Sequence, residues 1–130
     1  NRDDRFDRAR LRKALATADW LDPEAAARSA HALAQAEEAL DWTARAYEGR
    51  RIAEKDGIIS LAPDSLPHEL LRRLVLIALR RIVTDSAPRG DELERLITGL
   101  KQGRTATLAG VKCAGGTFWL FSAAPPRRKN

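Results

Sequence analysis

Arginines at helical spacing open this chain: Arg5, Arg8 and Arg12 fall within about 60° of one another when counted at 100° per residue. A guanidinium fork can bond two phosphate oxygens at once, so such a stripe suits an anionic partner. Leu11, Ala14, Leu15 and Ala18 make an adjoining apolar stripe that would anchor the same helix. Asp4 lies four residues before Arg8, and a pair there would be worth only a few tenths of a kcal/mol, as on any solvated surface helix. A second group, Arg72, Arg73 and Arg80, shares roughly 100° of the polar face of a later helix. Arg104 follows a glycine turn. These seven arginines are the candidate phosphate contacts.

Other chemistry is poorly represented. Ser, His and Cys residues show no grouping of nucleophile, base and orienting acid. His31, His68 and the lone Cys113 are too scattered for metal-ligand spacing, so no catalytic residue, bound metal or cofactor is expected within these residues. Asp3, Asp4 and Asp7 are better placed to cap a helix and pair with nearby arginines than to act as acid or base. Gly115-Gly116-Thr117 falls where a hairpin turn is expected and lacks the partners of a phosphate-cradling loop.

Composition points the same way. The chain has 130 residues, 44% hydrophobic and 32% charged, which suits one compact domain, or a domain with a small appendage. Its net charge is +5 and its pI near 10, carried mostly by arginine, since lysine occurs only at Lys13, Lys55, Lys101, Lys112 and Lys129. Arginine surplus favours a nucleic-acid partner, although a GC-rich genome also trades lysine for arginine. No apolar run approaches the roughly 18 residues of a membrane span. With one cysteine, the expectation is a cytoplasmic protein without disulfides. The absence of methionine and the opening Asn1 lead us to expect a piece of a longer polypeptide.

The elements that must position the arginines can be read in order. After the first helix, Asp22 and Pro23 spell an N-cap and first helical residue, and an Ala-rich helix runs to about Tyr47. Its expected buried stripe is Ala26, Ala30, Leu33, Leu40, Ala44 and Tyr47, with His31, Gln35, Glu38, Trp42 and Arg45 opposite. Asp56-Gly57 between short apolar runs predicts a hairpin over 52–61. Ser65 is the expected N-cap of a helix from His68 to about Asp85, buried through Leu70, Leu71, Leu74, Val75, Ile77, Ala78 and Ile82. Asp91 and Glu94 fit a capping box for a helix whose stripe is Leu93, Leu96, Ile97 and Leu100. Thr105–Cys113 and Thr117–Ser122 then read as two strands joined through Ala114-Gly115-Gly116, with both faces of the last strand covered. The expected fold class is mainly α (α+β), with about four packed helices and two short β-hairpins meeting at one end. The basic tail over 125–130 has nothing to bury and is expected to be disordered.

The opening spelling, with Phe6, Arg8, Leu11 and Arg12, resembles the segment that follows the ATP-using domain in tRNA(Ile)-lysidine synthetases, where an aromatic precedes Arg-Asn-x-Ile/Leu-Arg at a helix start. Ala9 stands where that family usually has Asn. Leu66-Pro67, Leu70-Leu71 and Arg72-Arg73 are similar to the family's Leu-Pro-x-x-x-Arg-Arg-x-Leu helix start. Leu93 to Leu100, then Gly103-Arg104 and Thr107-Leu108-Ala109-Gly110-Val111, are similar to its short helix, Gly-Lys/Arg turn and Thr-Leu-Pro-Gly-Gly-Val strand, with Ala109 replacing the customary Pro.

That resemblance implies a ligase that adenylates the wobble cytidine of tRNA(Ile) at C2 and joins the ε-amine of lysine there, with ATP, magnesium and lysine needed by the complete enzyme. It implies that residues 1–20 are a linker helix after an upstream ATP-using domain and that 21–124 are a helical substrate-binding domain with small β-ribbons. The upstream domain would carry a Ser-Gly-Gly-x-Asp-Ser loop, which is absent from this sequence, so these residues alone are expected to be inactive. Arg8 and Arg12 would stand at the edge of the active site. The partners implied are tRNA(Ile) and the upstream domain, with no membrane. The other readings of the residues are a stand-alone helical nucleic-acid-binding module and a protein-interaction module using the Ala-rich helix and Trp42.

Overall fold

The computed structural model describes residues 2–17 and 22–126, and in the first helix the side chains of residues 7–14 and 16. The elements are α1 (Arg2–Thr17), α2 (Pro23–Arg51), β1 (Ile52–Lys55), β2 (Ile58–Leu61), α3 (His68–Ile82), α4 (Gly90–Lys101), β3 (Thr105–Leu108), β4 (Val111–Ala114) and β5 (Trp119–Ala123). They form two compact units, residues 1–39 and residues 40–130. The first holds α1 and the N-terminal part of α2. The second holds the remainder of α2 and everything after it.

In the second unit, the strands build one antiparallel sheet in the order β1-β2-β5-β4-β3. This corrects the expectation of two separate hairpins. Each hairpin buries only one face, and a single shared sheet lets β5 pair with both β2 and β4 while completing one apolar surface. The alternation is clean: Ile59, Leu61, Val111, Cys113, Trp119 and Phe121 are buried on the face that receives α3 over β2 and β5 and α4 over β3. The two helices contribute Leu71, Leu74, Val75, Ala78 and Leu79, and Leu93, Leu96, Ile97 and Leu100, to the same core. The opposite face of the last strand is open rather than covered, since Phe118 is 57% and Leu120 42% exposed. Among the described residues, α3 and α4 of this unit cover one face of the sheet.

The predicted strand over 105–113 is itself a hairpin. Ala109 and Gly110 have φ of 51° and 80°, the left-handed pair of a tight two-residue turn, and Leu108 pairs with Val111 across it. Asp56 and Gly57 make the equivalent turn between β1 and β2, with φ of 53° and 79°.

Helix ends follow local chemistry. The Asp22 carboxylate accepts the Glu24 N–H at 3.0 Å, as an N-cap does. The cap of α3 is Pro67 and not Ser65, which sits at φ 59° in the preceding turn. Helix α4 starts two residues earlier than expected: its N-cap is Arg89, whose N–H donates to Glu92 at 3.3 Å, and Glu94 instead bonds His68. Along α2 the expected stripe is only partly buried. Ala44 is enclosed and Leu40 and Tyr47 are half-buried, but Ala26, Ala30 and Leu33 are exposed. Trp42 is 72% exposed. Residues 127–130 of the basic tail, like Ala18, lie outside the described residues, and Pro125 and Pro126 are exposed beyond β5.

Candidate nucleic-acid interface

The structure separates the arginines by what they already bind. Arg73 is 7% exposed and donates through Nε to Glu69 at 3.0 Å and through Nη1 to Asp41 of α2. Arg72 donates through Nε and Nη2 to the two oxygens of Glu69 at 2.9 and 2.7 Å. The Arg72 hydrogen bond is the main cause of a Glu69 pKa below the ordinary carboxylate value; the charges of Arg72 and Arg73 add to it and burial opposes it. Arg80 donates Nε to the Ser86 carbonyl at 3.1 Å, bracing the α3 to α4 connection. The expected phosphate-facing stripe of Arg72, Arg73 and Arg80 is therefore largely engaged within the fold, and Arg73 is turned into it. The i,i+4 spacing from Glu69 to Arg73 was the sequence signal for this.

Two further arginines are also committed. Arg81 of α3 pairs with Glu48 of α2, and Arg51 donates to the carbonyls of Ala62 and Asp64 at 3.2 and 2.7 Å. Together, Asp41–Arg73 and Glu48–Arg81 bracket Ala44 and fix the C-terminal part of α2 on α3.

Arg104 is different. Helix α4 ends with Gly103 at φ 74°, its N–H on the Leu100 carbonyl at 3.0 Å, and the Arg104 N–H reaches the Gly99 carbonyl at 3.0 Å, a Schellman arrangement. The Arg104 carbonyl then accepts the Gly115 N–H at 2.8 Å. The backbone is held on both sides while the residue is exposed, and no ion pair ties its guanidinium among the described residues. Gly115 is required here, because a Cβ would stand 2.3 Å from the Leu100 carbonyl oxygen. Arg8 and Arg12 are likewise exposed on α1, with no ion pair among the described side chains. The side chains of Arg5, Asp4 and Leu15 lie outside the described residues, while Leu11 is 62% exposed.

Sequence reasoning passed over two other cations. Lys101 is exposed in the last turn of α4, and Lys112 is exposed on the open face of the sheet beside Thr107. The period-2 alternation of β4 was enough to place Lys112 outward.

The exposed arginines can hold anions; the imidazole–carboxylate pair among the described residues that the hydrogen bonds show, His68 with Glu94 at 2.8 Å, is exposed on the surface between α3 and α4. Burial pushes the Cys113 thiol up to about 12, so it stays protonated. Among the described residues no group of three or more His, Cys, Asp or Glu is placed to hold a metal ion. No described helix is long and apolar enough to cross a membrane.

Comparison with known proteins finds no matching family model and no matching solved structure. Two curated proteins match over nearly the entire chain. A tRNA(Ile)-lysidine synthase of Zymomonas mobilis is 40% identical over 124 residues, covering 95% of this chain and 38% of its own length. A tRNA(Ile)-lysidine synthase of Novosphingobium aromaticivorans is 37% identical over 134 aligned positions, covering all of this chain and 40% of its own length. The chain thus spans about two fifths of these curated relatives. Over the length that it spans, the chain is related to the tRNA(Ile)-lysidine synthases.

Proposed function

We propose that these residues are the tRNA-recognition portion of a ligase that uses ATP to attach lysine to the wobble cytidine of tRNA(Ile). The observation that carries this reading is the relatedness to two synthases of that name along the whole chain. The exposed arginines with no ion pair among the described side chains support it, because sequence-independent grip on RNA comes from cations able to meet phosphates. In this reading Arg104, held by its backbone, and Arg8 and Arg12 on α1 make the leading contacts, with Arg5 beside them in the sequence stripe. Arg72 and Arg80 contribute field at the surface, and Arg73 acts by holding the helices that carry them.

Adenylation and transfer belong to an ATP-using domain outside these residues, which would bind ATP with magnesium and lysine. Arg8 and Arg12 stand at the edge of that active site, where a guanidinium can stabilise charge developing on the phosphoryl group. The test is lysine incorporation into a tRNA(Ile) transcript by the parent protein. Replacing Arg8 and Arg12 with Ala depresses turnover while leaving the melting temperature unchanged. Undiminished turnover removes both residues from the site, and a parent protein that never transfers lysine overturns the function.

A further inference from the structure

The face of the sheet turned away from α3 and α4 is a surface that the arginines do not use. Strand alternation and register set its layout. Ala53, Ser60, Leu120, Ala114 and Thr105 follow one another across the strands from β1 to β3. Continuing the same register, Lys55, Ile58, Ser122, Lys112 and Thr107 form the next row. Phe118 comes just before the buried Trp119 and so shares the outward face with Leu120, both being exposed. Arg104 falls with Ala106 and Leu108 on the helix side, its Cβ 3.9 Å from where a Gly99 Cβ would stand. The open face is therefore separate from it.

Its chemistry is mixed in a particular way. Ile58, Phe118 and Leu120 leave large apolar area in water, and Ala53, Ile58, Ser60 and Leu120 line a cleft of about 320 Å³. Among the described residues, the charged side chains at outward strand positions are Lys55 and Lys112, with no carboxylate. Glu54 and Asp56 reach the cleft only at the β1 end, which leaves Lys112 as the cation distant from acids on this face. Hydroxyls of Ser60, Ser122 and Thr107 stand between the apolar groups. A second copy set against this face would bring like charges together, and an apolar protein surface would bury the hydroxyls and the Lys112 ammonium without partners. A nucleotide meets all three chemistries, with its ring face on apolar groups, its base edge on hydroxyls and its phosphate on an ammonium.

We propose that the open face of the sheet holds an unstacked, single-stranded stretch of RNA, with one base on Phe118, the next in the cleft of Ile58 and Leu120, and a phosphate on Lys112. Phe118 and Leu120 are two residues apart on one strand, roughly 7 Å. That is about twice the rise between stacked bases, so the platform fits bases drawn apart and not a continuous helix. Base pairs in a duplex keep their faces covered and present only edges and backbone. The inference rests on the proposed function for RNA as the ligand, and adds that a loop or free end, rather than a stem, meets this face.

Fluorescence anisotropy with two labelled probes tests it: a single-stranded oligoribonucleotide of roughly eight residues and a duplex of the same sequence. Phe118→Ala weakens binding of the single strand by about 5- to 150-fold, the loss of one base stack, and leaves duplex binding unchanged. Phe118→Trp restores the single strand. Lys112→Gln lowers the salt slope for the single strand by about 0.7, one phosphate contact. Both side chains are exposed, and circular dichroism checks the fold; should Phe118→Ala fail to fold, the Lys112→Gln slope decides. Single-strand binding that ignores both substitutions, or single-strand and duplex binding weakened equally by Phe118→Ala, overturns this inference and leaves the tRNA reading standing on Arg8, Arg12 and Arg104. A chain that binds neither probe nor a tRNA(Ile) transcript overturns both. A dimer in sedimentation that Phe118→Ala dissociates gives the face to a second copy and likewise overturns the inference.

Discussion

Arg73 on α3 and Asp41 on α2 form an unequal ion pair: the guanidinium side chain is 7% exposed and the carboxylate 63%. The cation has left water and the acid has not, so the arginine depends on this contact and on Glu69 to satisfy its donors. Replacing Arg73 with Ala removes these charge-assisted bonds and the packing of its stem between the helices. Urea unfolding should show a loss of about 1–3 kcal/mol. Arg104→Ala, at an exposed position, should stay within about 0.5 kcal/mol. Equal losses would mean that Arg73 is not the strut between α2 and α3.

Glu69 carries a pH dependence. Its folded pKa lies below its ordinary value of 4.5, first through the Arg72 hydrogen bond. A carboxylate lowered in this way stabilises the fold above its unfolded pKa and loses that contribution as pH falls through the folded one. The melting-temperature gap between the unmodified chain and Glu69→Gln should be full near neutrality and close below pH 4.5. The side chain is 40% exposed, so the gap corresponds to no more than about 1 kcal/mol. A gap that does not begin to narrow as the pH falls below 4.5 would contradict the assignment.

Cys113 should be chemically silent in the native state. The thiol is fully buried and raised to about 12, and only a thiolate attacks alkylating agents at useful rates. Labelling with iodoacetamide at pH 8 should follow unfolding, rising in step with loss of helix in urea. Rapid labelling of the folded chain would place the β4 sulfur nearer the surface.

Two glycines should respond in opposite directions to alanine. At Gly115 the new Cβ meets Leu100 and Gly103 backbone, at 2.3 and 2.9 Å, so Gly115→Ala should cost roughly 1–3 kcal/mol and loosen the turn that holds Arg104. At Gly49, within α2, nothing lies within 4 Å, and Gly49→Ala should stabilise by about 0.5–1 kcal/mol. Thermal melts of the two variants check both signs.

What was legible in the sequence was the part with large side chains at a regular period. Leu93, Leu96, Ile97 and Leu100 are all buried as their spacing predicts, and most of the α3 stripe is too. Leu79 was missed there, lying beside an arc already crowded with Leu and Ile. The Ala stripe of α2 failed because alanine fits a buried or an exposed face about equally well; Ala44 is buried, Leu40 and Tyr47 are half-buried, and Tyr47 packs against the second unit's core. The hairpin at Ala109-Gly110 was hidden by the stronger glycine signal at Gly115-Gly116, which marks the next connection. Pairing of β5 with β2 is nonlocal and left no local trace. For the candidate interface, arginine positions were readable but their commitments were not, since Asp41 lies 32 residues from Arg73 along the chain.

The central claim is that RNA is gripped by exposed arginines that form no ion pair among the described side chains. Its most direct test is a fluorescence titration of a tRNA(Ile) transcript with this chain across a salt series. Replacing Arg8, Arg12 and Arg104 together with Ala should weaken binding and flatten the slope of log K against log salt by roughly 0.7–0.9 per lost contact, with the fold intact by circular dichroism. Binding and slope unchanged in that triple variant would contradict the account.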